Sequence, residues 1–177
     1  MLCTINIPRE ILIAIGLTSG LGSVAYSVLE VSTEPEVICS EVMPGPRKKR
    51  GVSHWRRYNA HRLILSTVFE RWPPTVISLG PPSTDDEPPE WVAFMRTAIF
   101  GVGQMLRVPV LLFDTDQRIG LALGSPDLRR GNGLKSLIRR QLPTFDSNKK
   151  RVVMATAAAM AGAFQVANTL SREERAI

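Results

Sequence analysis

The sequence predicts an α/β domain built on a mixed sheet, antiparallel at its start and parallel afterwards, with helices flanking it. Three observations lead there. Extended, β-branched apolar runs crowd the first part of the chain and are separated only by short turn signals, as in an antiparallel meander. Two later apolar runs, Thr75–Leu79 and Val108–Phe113, are short and continuous like strands buried on both faces, and a long amphipathic helix precedes each. The chain then closes on helices, the last of them rich in alanine and glycine.

The other elements are arranged around Ile11 to Glu30 (ILIAIGLTSGLGSVAYSVLE). Ile11, Ile13 and Ile15 alternate with Leu12 and Ala14. Thr18, Ser19 and Gly20 read as a tight turn, and Leu21–Leu29 resumes an extended pattern. The stretch is uncharged over Ile11–Leu29 and follows Arg9, so it also suits a membrane anchor. The turn signal in its middle and the β-branched alternation favour two strands, and no membrane partner is expected. Glu34–Val42 reads as a third strand. Met43–Gly51 (MPGPRKKRG) holds two prolines and four consecutive basic residues, which makes it an exposed loop.

Residues 53–72 read as a helix with Ser53 as N-cap, an apolar face of Tyr58, Leu63, Leu65, Val68, Phe69 and Trp72, and a stop at Pro73-Pro74. After the strand Thr75–Leu79, Gly80–Pro89 is an acidic, proline-rich loop. Glu90–Arg107 is a second helix, with Trp91, Phe94, Met95, Ala98, Ile99, Val102, Met105 and Leu106 at helical spacing. Beyond the strand Val108–Phe113, Ile119–Leu123 starts a short helix and Gly124–Gly133 is a loop. Leu134–Leu142 is a basic helix and Lys149–Leu170 a long final one. Residues 1–9 are an N-terminal extension, 10–170 the domain and 171–177 a tail.

Length and composition agree with one ordinary globular domain. The chain has 177 residues, 44% of them hydrophobic and 21% charged, which argues against wholesale disorder. The formal charge of +6 suits a polyanionic partner. Cys3 and Cys39 are the only cysteines, too few for a disulfide framework or a zinc site, and a reducing cytoplasmic setting is the expectation.

The strongest functional signal is the run RKKRGVSHWRRYNAHR. Arg47, Lys48, Lys49, Arg50, Arg56, Arg57 and Arg62 could neutralise phosphates, while Trp55 and Tyr58 could stack on unpaired bases. The plainer alternative is that the aromatics face the core and the basic residues are merely solvated. A second patch comprises Arg129, Arg130, Lys135, Arg139 and Arg140, followed by Lys149, Lys150 and Arg151. Asp114 and Asp116 after VPVLLF resemble an aspartate pair at a strand end. However, Gln117 follows, and helix capping is the simpler role. His54 and His61 stand two helical turns apart without nearby cysteine or carboxylate partners, so no metal site is assigned.

The order of elements, βββαβαβαα, is the ribonuclease H-like order, and within it the chain resembles the RuvC family of Holliday-junction resolvases. RLILSTVFERWPPTVIS resembles the family's helix, aromatic, proline and strand. FGVGQMLRVPVLLFDTDQRIGLALG resembles its next helix and Pro-Val strand, and RRGNGLKSLIRRQLP its glycine, lysine and amphipathic-helix passage. The resemblance covers roughly residues 10–170 and places Lys135 where the family keeps a DNA-contacting lysine.

Enzymes of that family hold two divalent metal ions with four acidic residues. By the resemblance, the first aspartate would fall at Gly16 and the glutamate at Ser78 (Leu79 with a one-residue slip). The last pair would lie around Val152, Val153 and Thr156. No acid occurs between Asp146 and Glu173, and glycine or valine cannot ligate a hard cation. The expectation is therefore a noncatalytic nucleic-acid-binding or structural subunit without cofactor, in a homodimer or larger assembly, with branched or flexible DNA favoured. One alternative is a Mg²⁺-dependent nuclease using Asp114, Asp116 and Asp85 or Asp86. Another is a protein-interaction module with no nucleic-acid role.

Overall fold

The computed structural model describes residues 12–20, 23–32, 34–44, 54–82, 89–125 and 133–173. Among them, β1 (Leu12–Gly20), β2 (Ser23–Val31), β3 (Glu36–Pro44), β4 (Val76–Leu79) and β5 (Val110–Leu112) form one sheet in the order β3-β2-β1-β4-β5. The first three strands pair antiparallel, while β4 joins β1 and β5 joins β4 in parallel. Five helices complete the described chain: α1 (His54–Arg71), α2 (Pro89–Leu106), α3 (Asp116–Ala122), α4 (Gly133–Gln141) and α5 (Lys150–Glu173). The expected mixed sheet is present, and α3 is the short helix expected at Ile119–Leu123, beginning earlier, at Asp116.

Because side chains alternate along a strand, neighbouring residues serve opposite layers. Ala14, Leu29 and Val76 face α5 and join Ile119 of α3 and Ile138 of α4 in one apolar cluster. Ile15, Val28 and Ile77 face the other way, onto Leu65 and Phe69 of α1 and Met95 and Ile99 of α2. Each fully buried branched side chain of this kind stabilises the fold by roughly 1.5–3 kcal/mol. Helix α5 is long and apolar enough to cross a membrane, but most of that span is buried inside the fold. It is the core helix of a sheet-based domain. The stretch Ile11–Leu29, whose length suits an anchor, supplies two paired strands instead.

The structure corrects several local readings. Thr18, Ser19 and Gly20 do not turn. They continue β1, paired with Ala25, Val24 and Ser23, and residues 21–22 lie outside the described ones. Polar residues are tolerated in this strand because partners are at hand: the Thr18 hydroxyl donates to the Pro81 carbonyl at 2.7 Å. β3 runs on through Met43, which is buried against the α1–α2 layer and is no part of a loop. β5 is shorter than expected and only half-buried, since it forms the sheet's edge. α2 stops where Arg107 takes a left-handed φ of 56°, letting the Val108 amide donate to the Gly103 carbonyl at 2.9 Å. α5 extends past Leu170 to Glu173.

Two predicted apolar faces are also broader than the core that receives them. Leu63 of α1 is exposed, as are Phe94, Met105 and Leu106 of α2, while Leu65, Val68, Phe69, Met95, Ala98, Ile99 and Val102 are buried as expected. His61 lies on the buried side of α1.

Candidate functional site

The sheet registers set Gly16 of β1 beside Ser78 of β4 and Ser27 of β2. The row extends to Leu111 of β5 on one side and Ser40 of β3 on the other. Small residues in the middle of this row let α5 lie close on the sheet. A β-carbon added to Gly16 would stand 1.8 Å from the Ala155 carbonyl oxygen and 2.5 Å from the Ala159 amide nitrogen. One added to Gly162 would stand 1.8 Å from Ser78 Oγ. Thr156 Oγ1 donates to Ser27 Oγ at 2.9 Å and lies 2.9 Å from the Val152 carbonyl, so its single proton is shared. Ser78 Oγ, fully buried, has no hydrogen-bond partner.

These positions do not fit a two-metal centre. A hard divalent cation needs several oxygen ligands, usually including carboxylates. Here the row offers only hydroxyls, and Val152 and Val153 of α5 are buried in the apolar core. Among the described residues, no three histidine, cysteine, aspartate or glutamate side chains come together in a way that could hold an ion. Asp114 pairs with Arg118 at 3.1 Å, and Thr115 caps α3 by accepting from the Arg118 amide. The Asp114–Asp116 segment thus organises a helix start, with Asp116 in its first turn. Asp85, Asp86 and Glu87 lie outside the described residues.

The basic patches fall as follows. Arg47, Lys48, Lys49 and Arg50 lie outside the described residues, as do Arg129 and Arg130 and the side chains of Arg57 and Tyr58. Trp55 is exposed at the start of α1, which overturns the alternative of a core-facing Trp55, and Arg56 beside it is exposed too. α1 leads back to the start of β4, so its first turn lies toward the carboxyl end of the parallel strands. α5 begins at that same end, where Arg151 Nη1 donates to Ser23 Oγ at the first residue of β2. Lys149 and Lys150 are exposed there.

Helix α4 joins this end through its tie to the segment before α5. Lys135 Nζ donates to Asn148 Oδ1, and Arg139 Nη2 pairs with Asp146 at 3.1 Å. Arg140 is exposed. No acidic residue stands in the first turn of α5, where the helix dipole would favour one. Two faces of the sheet thus deliver cationic side chains and one exposed indole to a single end of the molecule. Arg62 departs from this group. It borders a groove of about 320 Å³ between α1 and α2, with Leu63, Phe69, Glu70, Val102, Met105 and Leu106. The sequence signal for that groove was an apolar face wider than one core stripe requires.

A five-stranded sheet in the order β3-β2-β1-β4-β5, antiparallel then parallel, with α5 across one face and α1 and α2 across the other, is a ribonuclease H-like fold of the RuvC-like form. No family model and no curated protein matches the sequence. Among solved structures, RuvC of Thermus thermophilus superposes with a TM-score of 0.75 at 15% identity, over 88% of this chain and 95% of that one. T. thermophilus RuvC in complex with Holliday junction substrate gives 0.68 at 14%, over 88% and 94%. The yeast mitochondrial Holliday junction resolvase Ydc2 gives 0.54 at 14%, over 90% and 82%. At such identities the likeness is one of fold.

Proposed function

We propose that this chain is a noncatalytic RuvC-like domain that binds nucleic acid, branched or flexible DNA above all, as a structural subunit of a DNA- or RNA-handling assembly. The observation that carries the reading is the pairing of two features at one end of the sheet. Arg56, Trp55, Lys149, Lys150 and Arg140 stand exposed around that end, while the row beneath them presents Gly16, Ser78 and Ser27. Cations attract phosphates, the indole can stack on an unpaired base, and nothing in the row can activate water through a metal.

The groove between α1 and α2 supports self-association through the same domain. Arg62 and Glu70 border it, about 12 Å apart along the helix axis. Two copies packed antiparallel along α1 would set each Arg62 against the other's Glu70, with Leu63 and Met105 buried between them. Leu63→Lys should then convert dimer to monomer in light scattering.

Fluorescent four-way junction, duplex and single-stranded DNA, titrated with Mg²⁺ and with EDTA, test the main reading. Salt-sensitive binding without cleavage is expected. Mg²⁺-dependent cleavage abolished by Asp114→Ala and Asp116→Ala would replace it with a nuclease using a displaced site. Absence of binding to all three would leave a protein-interaction module.

A further inference from the structure

We infer that α5 fills the volume in which a divalent-ion centre would have to form, so that this domain lacks the space for one as well as the ligands. The inference builds on the noncatalytic reading but fails separately from it. DNA titrations test the basic end, whereas the measurements below test the contact between α5 and the sheet.

The obstacle is backbone. Gly16 faces the Ala155 carbonyl and the Ala159 amide, and a β-carbon there would overlap both. These two groups stand at i and i+4 in α5, the spacing of a helical hydrogen bond. They cannot swing aside as a side chain would. An aspartate at position 16 needs room for that β-carbon and three further heavy atoms, with an ion roughly 2 Å beyond its oxygens.

On the neighbouring strand the contact is with a side chain. Gly162 meets Ser78 Oγ so closely that even alanine at 162 would collide with it. A β-carbon at Gly80 would already touch Thr18 Oγ1 at 3.3 Å and Ala158 Cβ at 3.4 Å. Two adjacent strands are therefore capped at one register level. Moving α5 outward would pull Val152, Val153, Ala157 and Met160 out of the core. Gly162 of α5 lies directly against the fully buried Ser78 hydroxyl, which has no hydrogen-bond partner in the protein.

The test is a set of thermal melts on the full chain. Overpacking a rigid helix–sheet contact costs enough to lower the midpoint of Gly16→Ala by about 5 °C or more, and Gly162→Ala, which strikes a side-chain hydroxyl, should lose less. Ser78→Gly in the Gly162→Ala background should recover more than half of that loss, since it deletes the atom the new methyl strikes. Gly16→Asp/Ser78→Glu should melt still lower or fail to fold, and millimolar Mg²⁺ should not raise its midpoint above that seen with Ca²⁺. A Gly16→Ala protein melting with wild type would overturn the inference, as would a Mg²⁺-specific upward shift in the double-acid variant. The Gly16→Ala melt keeps the test decisive if the double-acid variant does not fold.

Discussion

Replacing Lys149 and Lys150 together by alanine separates a phosphate-binding end from a merely solvated one. Among the described residues, Arg140, Lys149 and Lys150 stand exposed around the carboxyl end of the parallel strands, and Arg56 is exposed in the first turn of α1. Lys135, Arg139 and Arg151 are held by Asn148, Asp146 and Ser23. Each phosphate contact contributes about −0.9 to the slope of log K against log salt on duplex arms, so removing two should flatten the slope by about 1.8. Fluorescence anisotropy of a labelled four-way junction across a salt series reads both slopes. Stability should move the other way. The two lysines flank the start of α5, where the helix dipole repels positive charge, so their loss should raise the melting midpoint by about 1–3 °C. Weaker binding by a more stable protein cannot be an unfolding artefact. A slope unchanged by the double substitution would refute the placement of the interface.

Trp55→Ala should weaken single-stranded and junction DNA about 5- to 100-fold, the range expected for one lost stacking contact, and duplex much less; equal losses on all three would argue against stacking. Thr156→Val strands the buried Ser27 hydroxyl and should cost about 1–3 kcal/mol in denaturant unfolding, most of it recovered by adding Ser27→Ala. The Tyr26 phenol is held well above its usual value of 10.0, by burial first and then by Cys39 and Glu41 beside it. The folded state therefore keeps the phenolic proton when the unfolded chain has lost it. This stabilisation is complete below about pH 10 and disappears as pH rises further, so alkaline melts of Tyr26→Phe should be flatter than wild type's above that point.

The order of strands and helices was legible because each element carried its own period and its own stop. Pro73-Pro74 ends α1, and TVISL can only be a short buried strand after it. The first turn was not legible in the same way. Thr18-Ser19-Gly20 has turn composition, but the ladder to β2 and the Pro81 carbonyl satisfy its polar groups inside the sheet. Helical periodicity placed Leu65 and Ile99 correctly yet could not separate them from Leu63 and Met105, because a stripe facing a groove has the same spacing as one facing a core. The absence of carboxylates at Gly16 and Ser78 was visible in the residues themselves. That α5 closes over them was not, since Gly16 and Ala155 meet only through tertiary packing. Local composition pointed to Trp55 and its basic neighbours; their convergence with Lys149 and Lys150 needed the strand directions.

The glycines at 16 and 162 carry a lesson for reading variation in this domain. In a saturation library selected only for folded protein, these two positions would tolerate almost nothing, while Lys149 and Lys150 would drift freely. Selection for binding would reverse the second pattern and leave the first untouched. An intolerant pair at the heart of a nuclease-like sheet would look like the imprint of chemistry. In this chain it would record how near a helix lies to the strands beneath it.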